Sequence, residues 1–512
     1  MRLGIDFGTT RTVVAAARAG RYPVATFESN DEFLEFLPGF AGWGDKGLLC
    51  GTDAPSAEGS IVRSVKARIA GAMPDERIDD FGAHGLSALE LTTEYLRYVR
   101  RMLERSSNFD LSPRESLEAM VAVPAHASTR QRYLTMEAFQ MAGFEVLGLV
   151  NEPTAGAVEY ARHSLSALSS RSPKRYVVVY DLGGGTFDTA AVSLKERRFD
   201  LIGAEGVSGL GGNNFDELIA QQLLHSVGMT LSDVDRASTN RLLERCRLAK
   251  ESLSSSARRI YVDTHDVLDC EEVALDVGPV YEAARPLIER TMRAMDELLA
   301  GLRLHGIDPE NTRELGAIYL VGGAVQFPAV QRALRAKFGR KIQLAPQPHA
   351  STAIGLAVAA DQEAGIFVRE APTRHFGVWR ESENGREKVF DPIIEKRHGS
   401  RVDGPLRIER VYRPAHAVGQ LRFVECTDLD EARTPQGEVT PWDSILFPYD
   451  PALKEVADLR EHTTTRRDHL HAEEIVETYE YASTGLIQVR IENRTRGYHR
   501  NYVLGQPAEV VG

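Results

Sequence analysis

The sequence predicts an α/β body over residues 1–364 and an all-β body over residues 373–512, joined by a linker at 365–372. Three observations carry this. Up to about Ala364, short apolar strands alternate with helical patterns, the mark of α/β architecture. Beyond it, strand-like runs recur between turn residues and long amphipathic helices are largely absent, as in a sandwich or barrel. Third, two Asp-x-Gly turns, beginning at Asp6 and Asp181 and so 175 residues apart, each follow a strand, which suggests duplicated halves facing each other across a cleft.

In chain order, the α/β part offers strands at Leu3–Phe7, Ala119–Val123, Tyr176–Tyr180 and Ala317–Leu320. Helical periodicity runs through Ser87–Arg105, Arg130–Ala142, Ala237–Leu253 and Val280–Leu304. Ala350–Ala360 is small and apolar, as in a helix packed closely on its neighbours. The linker, Gly365 to Pro372, is apolar enough to dock yet closed by a proline. The all-β part reads as strands at Phe376–Trp379, Leu406–Tyr412, Gln420–Cys426, Ile475–Tyr481, Leu486–Glu492 and Tyr502–Leu504. The charged stretch 427–470 fits no recognised element.

Composition narrows the function classes. At 512 residues the chain exceeds one ordinary core. Its 43% hydrophobic and 26% charged residues are those of a globular protein. A net charge of −12 spread along the chain argues against nucleic-acid or anionic-membrane partners. Cys50, Cys246, Cys270 and Cys426 form no CxxC pair, which excludes a zinc ribbon or disulfide scaffold and suits a reducing compartment; each is expected to be a small buried hydrophobe. The strand at Leu3 follows Met1 and Arg2 without a signal-like apolar region, and no run reaches the roughly 18 apolar residues of a membrane span, so a cytoplasmic location is expected.

The two turns share one chemistry. In Asp6-Phe7-Gly8-Thr9-Thr10 and in Asp181-Leu182-Gly183-Gly184-Gly185-Thr186-Phe187-Asp188, an acidic residue ends the strand and hydroxyls flank glycines. Glycines let backbone N–H groups close on phosphate oxygens, and the aspartates suit the hydrated Mg²⁺ that accompanies ATP. A third glycine turn, Gly322-Gly323, again follows a strand and suits the nucleoside.

With these residues assembled, the chain resembles the 70-kDa heat-shock chaperone family of the actin and sugar-kinase ATPase superfamily. Gly4 through Thr10 resembles the family's first phosphate signature, and DLGGGTFD, Asp181 through Asp188, matches the second. Val123-Pro124-Ala125 with Arg132, then Asn151-Glu152-Pro153-Thr154-Ala155, resembles its connecting segment; Leu210-Gly211-Gly212 with Phe215-Asp216, and Ala249 through Ser255, are similar too. The resemblance implies two actin-like lobes with duplicated ribonuclease-H-like sheets, then a β-sandwich that binds unfolded or client polypeptide. It implies ATP and ADP as ligands, with Mg²⁺ and K⁺, and a co-chaperone and a nucleotide-exchange factor as partners. By the same resemblance, Gly8, Thr9, Thr10, Gly183, Gly184 and Gly185 contact phosphate, and Lys66, Glu152, Thr186 and Asp181 serve catalysis. Asp6, Asp181 and Asp188 hold the cation; Gly211, Gly212, Lys250, Ser254, Gly322 and Gly323 hold nucleotide; and Pro124 and Arg132 relay its state.

The adenosine side departs from the family. Ala324, Val325 and Gln326 stand where a hydroxyl pair and a stacking arginine are usual, His349-Ala350 replaces an Asp-Glu pair, and Arg247 replaces a ribose-binding glutamate. Losing a cation over adenine costs on the order of 1–2 kcal/mol, so weakened nucleotide affinity is expected. In the β-part, Val389 through Lys396 and the hairpin from Glu474 through Ser483 to Arg490 resemble the peptide-binding sandwich, and the helical lid is expected to be missing. The reading is therefore an ATP-dependent chaperone. A nucleotide-dependent switch that docks one dedicated protein is the alternative, and a small-molecule kinase or an actin-type filament ranks below both.

Overall fold

The computed structural model describes the chain except for residues 30–31, 46, 57–60, 74–75, 79–80, 82–84, 113–114, 165–171, 196, 266, 269, 312, 383–386, 397–405, 443, 483 and 505–512. Ser483 of the expected closing hairpin therefore lies outside the described residues.

The first lobe is a sheet made by β1 (Arg2–Phe7), β2 (Arg11–Ala16), β3 (Leu37–Pro38), β4 (Glu118–Val123) and β5 (Glu145–Asn151), in the spatial order β5-β4-β1-β2-β3. Its helices are α1 (Ala88–Ser106) and α2 (Thr129–Met141), which pack on each other and on the sheet, and α3 (Glu152–Ser164), which leads out of β5. Ser87 and Glu90 form a reciprocal capping box at α1, and Ser128 caps α2 by accepting from the Gln131 N–H. Leu3, Ile5 and Phe7 are wholly buried, which fixes the register of β1.

The second lobe repeats the wiring. Its sheet runs β10-β9-β6-β7-β8-β11, made by β6 (Tyr176–Leu182), β7 (Thr186–Ser193), β8 (Arg198–Ser208), β9 (Leu315–Val321), β10 (Ile342–Leu344) and β11 (Phe367–Arg369). In both sheets an antiparallel hairpin, β1–β2 or β6–β7, lies beside two parallel strands, β4 and β5 or β9 and β10. The second lobe carries α4 (Gly212–Ser226), α5 (Arg236–Glu251), α6 (Val277–Leu302), α7 (Pro328–Phe338) and α8 (Ser351–Ala360).

The two lobes meet where α3 crosses α8, inside one shared apolar cluster. Small residues make that approach possible: a Cβ on Gly355 would stand 1.9 Å from the Ala155 carbonyl oxygen, and one on Gly4 would stand 2.2 Å from Ala357 N. The sequence shows this helix as a run of alanines without a polar face, and eight of its ten residues from Ser351 on are buried in unbroken succession.

The last strand of the second sheet, β11, lies inside the linker and pairs parallel with Arg198–Asp200 of β8. Beyond it two antiparallel sheets face each other. One contains β12 (His375–Ser382), β13 (Glu387–Ile394), β15 (Val418–Leu429), β16 (Pro435–Pro441) and β17 (Ile445–Pro448); the other contains β14 (Leu406–Tyr412), β18 (Ile475–Tyr481), β19 (Ile487–Asn493) and β20 (Tyr498–Val503). Phe376, Phe423, Phe447 and Tyr479 fill the space between them. The stretch 427–470, unassigned from the sequence, holds β16, β17 and short helical turns at Pro451–Leu453 and Arg460–His462, with a third, Asp468–Ala472, starting at its end. One expectation is corrected. Cys270 is exposed in a turn, while Cys50, Cys246 and Cys426 are buried.

Candidate functional site

The two glycine turns face each other across the gap between the lobes. Gly8 N donates to Arg11 O at 2.9 Å and Gly183 N to Thr186 O at 3.1 Å, so both turns close in the same way. A Cβ on Gly184 would stand 2.4 Å from Thr10 Cγ2, and one on Gly185 would stand 2.5 Å from Thr9 Cγ2. Only glycine permits this contact between turns. The start of α4 braces the second turn, with Gly212 N donating to Gly183 O at 2.9 Å and Asn213 N to Gly184 O at 2.8 Å.

Between the turns lies a cluster of buried charge. Lys66, at the head of a short helical turn, is ion-paired with Glu152, the first residue of α3, and each side chain is 9% exposed. Burial pushes the Asp6 carboxyl up to about 7, helped by Glu152 and opposed by Lys66. Burial and then Glu152 likewise push Asp188 up to about 7, and burial, Glu152 and Asp6 raise Asp181 well above the usual carboxylate range. Burial works against the Lys66 charge, but Glu152 and Asp6 outweigh it and the ammonium is held charged. One lysine thus faces four carboxylates, an excess of negative charge that a divalent cation would relieve. Among the described residues no three His, Cys, Asp or Glu side chains converge closely enough to ligate a bare ion. The carboxyls of Asp6, Asp181 and Asp188 are oxygen donors of the kind a hydrated Mg²⁺ takes.

The cleft encloses about 100 Å³ and is lined by Asp6, Thr9, Thr10, Lys66, Thr186 and Gly183, among others. At its other end stand Gly212, Lys250, Arg247, Gly322 and Gly323. Lys250 reaches back to Asp216 at 2.7 Å and to Gly212 O at 3.0 Å. Gly322 needs its positive φ of 84°, and a Cβ there would stand 2.3 Å from Leu182 O. Gly211 packs behind Gly184 and does not line the cleft. Gly185 and Asp188 open instead to a cavity behind it. Ser254 is exposed and shares its hydroxyl with Ser256 at 3.2 Å, outside the lining, because α5 ends at Glu251 and the chain turns to the surface.

Side chains to which the motifs gave no role also bear on this end. Arg11 of the first lobe holds Glu251 of the second at 2.6 and 2.7 Å. Arg63 donates to Asn240 O at 2.6 Å, again across the lobes, and Arg247 pairs with both Glu244 and Glu251. Asp216 anchors Lys250, with its carboxyl pushed up to about 6 by burial against the pull of Lys250. Arg11 directly follows Thr10 in sequence, and that adjacency is the one sign that could have found it, whereas Glu251 lies in the Ala249–Ser255 run already marked by the resemblance.

The segment from Pro124 to Arg132 carries the contacts between this cleft and the β-body. Ala125 N donates to Asp188 at 3.2 Å while Ala125 O accepts from the Thr373 hydroxyl at 2.5 Å. Glu425 accepts from Thr129 N at 3.0 Å and from its hydroxyl at 2.5 Å. Arg374 donates to His126 O at 3.2 Å, and Arg130 lies over the Trp442 ring at 4.9 Å. Glu370 of the linker accepts from Asn151 N at 2.7 Å and Nδ2 at 2.6 Å, and Asn151 in turn accepts from Arg132 at 2.5 Å.

The profile of the family described as Hsp70 protein matches residues 85–371, more than half of the chain. Among curated proteins the chain is similar to the chaperone protein HscA homolog of Chromobacterium violaceum, 32% identical over 71% of this chain and 59% of that protein. It is also similar to the homologs of that name from Azotobacter vinelandii, 31% identical, and Variovorax paradoxus, 33% identical, each over 71% of this chain and 58% of that protein. The chain thus spans under three fifths of the length of these relatives.

Proposed function

The chain belongs to the Hsp70 family, and from that premise we propose that it is an ATP-driven clamp on other polypeptides: ATP binding and hydrolysis in the actin-like residues 1–364 change the grip of the sandwich in residues 373–512. The observation that carries this is the path of direct contacts from Asp188, beside the second glycine turn, through Ala125 to Thr373 at the entry of the β-body. A change at the phosphate end reaches the sandwich through two hydrogen bonds.

In the reaction, water attacks the γ-phosphorus of ATP, the bond to the β–γ bridging oxygen breaks, and ADP, orthophosphate and a proton result. The amides of Gly8 and Gly183 close the turns, and those that follow them, of Thr9, Thr10, Gly184 and Gly185, cradle the phosphates. Lys66 offsets the charge that develops on the transferred group, and Glu152 holds its ammonium in place. The Thr186 hydroxyl stands at the γ-phosphate end. Asp6, Asp181 and Asp188 would hold a hydrated Mg²⁺, which would supply positive charge against the phosphate oxygens, and the same carboxylates could also hold K⁺. Lys250, Gly322 and Gly323 receive the nucleoside. The sandwich takes an extended client segment through backbone hydrogen bonds and apolar pockets, and a co-chaperone and an exchange factor act on the cycle. Among the described residues no helix is long and apolar enough to cross a membrane, and the cytoplasm is the proposed location.

One observation favours a second reading, a slow switch that docks a dedicated protein: Arg247 and Glu251 sit at the nucleoside end, tied to Glu244 and Arg11, where they restrict entry. ATP turnover of the purified chain against Lys66→Ala and Thr186→Ala, with and without an unfolded polypeptide, separates the two. Turnover that falls in both variants and rises with the polypeptide upholds the clamp. Binding of ATP without turnover leaves the switch.

A further inference from the structure

The cleft has a back. Behind the glycine turns lies a second cavity of about 730 Å³, and Thr9, Lys66 and Thr186 line both spaces. Its far walls come from three bodies: Pro124 and His126 of the first lobe, Glu205 of the second, and Arg374 and Lys396 of the β-body. Exposed Ala67, Ala70, Gly71 and Ser208 also line it, so it opens to solvent along that rim.

We propose that this rear cavity is the exit for orthophosphate: the ion freed beside Thr9, Lys66 and Thr186 leaves backward while ADP still fills the front. This rests on the ATP hydrolysis proposed above. The three residues common to both spaces are those at the γ-phosphate end, so the leaving ion already stands on the threshold. The forward path runs along the nucleotide itself and ends at the Arg11–Glu251 pair.

The electrostatics of the chamber suit passage and not storage. Lys396 lies 3.6 Å from Asp428, and Arg374 lies 3.4 Å from Glu438, so the cations contributed by the β-body are already matched. Asp188, Glu205 and Glu297 add further carboxylates to the walls. A dianion entering here meets no unmatched cluster of positive charge of the kind that binds phosphate tightly. It is therefore not retained there. Because Arg374 is 6% exposed and joins the β-body to the His126 carbonyl, the docking of that body sets the width of the passage, and a client that shifts the β-body also alters phosphate release.

The test is a plug at the rim of the full-length chain. Ala70 is exposed there, and a Cβ on neighbouring Gly71 meets nothing within 4 Å, so Ala70→Trp and Gly71→Trp narrow the mouth without entering the core. In a single turnover, bond cleavage is timed by acid quench and free orthophosphate by a fluorescent phosphate sensor. Cleavage is expected to keep its rate while release slows at least about tenfold. Release as fast as in the wild type, in a plugged chain that is folded by circular dichroism, overturns the exit route. The route is also read without hydrolysis, by uptake of radiolabelled orthophosphate into the ADP-loaded chain. Uptake slowed at least about tenfold by the plugs supports it, and unchanged uptake overturns it. A wild-type chain that binds ADP but does not cleave ATP removes the hydrolysis alone and leaves this second readout intact. A chain that binds no ADP removes both proposals.

Discussion

Replacing Lys66 with alanine strips the one buried cation from a site that holds Asp6, Glu152, Asp181 and Asp188. Lys66 and Glu152 are each 9% exposed, so water does little to soften the loss. Breaking a buried pair by removing one partner costs about 3–5 kcal/mol. Part of that is recoverable, because a carboxyl without its lysine can take up a proton. In the wild type Asp6 and Asp188 titrate at about 7, held down by Lys66. Without it their native values rise further, so the native variant binds more protons than the native wild type above that pH. Stability falls with pH wherever the native state binds more protons than the unfolded one, so the deficit grows as pH rises. For one retained proton, an interval of about 1.5 units above pH 7 at about 1.4 kcal/mol per unit gives about 2 kcal/mol. The expected deficit is therefore about 3–5 kcal/mol near pH 8.5 and about 2 kcal/mol smaller near pH 7. Urea denaturation read at Trp43, in a background with Trp379 and Trp442 replaced by phenylalanine, isolates the first lobe. A deficit that is equal at both pH values, or absent, refutes the description of the cluster as negative charge offset by one lysine.

Two further expectations concern the closures around the site. Glu251→Gln breaks the bridge to Arg11 between the lobes; such a partly exposed pair is worth about 0.2–1 kcal/mol, so release of a fluorescent ADP analogue should quicken up to about fivefold, and an unchanged rate would show that the pair does not restrain the cleft. Glu370→Ala leaves the Asn151 N–H without its acceptor, which at about 1–3 kcal/mol should raise hydrogen exchange at Phe367–Arg369 roughly five- to a hundredfold. The same docking should tighten in acid. Burial raises Glu370 and Glu425 above the ordinary carboxylate range, so docking takes up protons, and protection of β11 corrected for intrinsic exchange should increase as pH falls toward their raised values; the opposite trend would sink this account.

The two glycine turns could be read from the sequence because their constraint is local. Gly184 and Gly185 are glycines since Thr10 and Thr9 of the facing turn leave no room for a Cβ, and the acidic residue and hydroxyls that go with them lie within a few positions. The same holds for the alanine-rich α8, whose lack of a polar face already states that it is surrounded. Ser254 shows where locality misleads: it belongs to a recognisable run, yet α5 ends at Glu251 and carries it away from the cleft. The strand β16 escaped notice for a different reason. It begins and ends with proline, four of its seven residues are exposed in succession, and no alternation of apolar and polar side chains marks it. An edge strand of that kind is formed by its pairing with β15, which periodicity cannot report.

Contacts between bodies are the least legible, and the charged residues show why. Taken alone, Arg374 and Glu425 read as solvated surface groups, yet they are 6% and 3% exposed. Glu425 meets Thr129 across 296 positions, and Arg374 meets His126 across 248. A buried charge is tolerable only with a partner; Glu425 finds its partner in the other body, and Arg374 divides its donors between Glu438 of its own body and the His126 carbonyl of the other, so neither segment by itself carries the information that its charge is buried. The Pro124–Arg132 segment can be recognised as a motif because both its neighbours act on it: the carboxylate of Asp188 takes its amide from one side, and Thr373 takes its carbonyl from the other. The constraint on Ala125 is therefore a joint one. A change that loosens either bond alone leaves the peptide unit held from one side only, so the coupling between cleft and sandwich should fail before the fold of either part does.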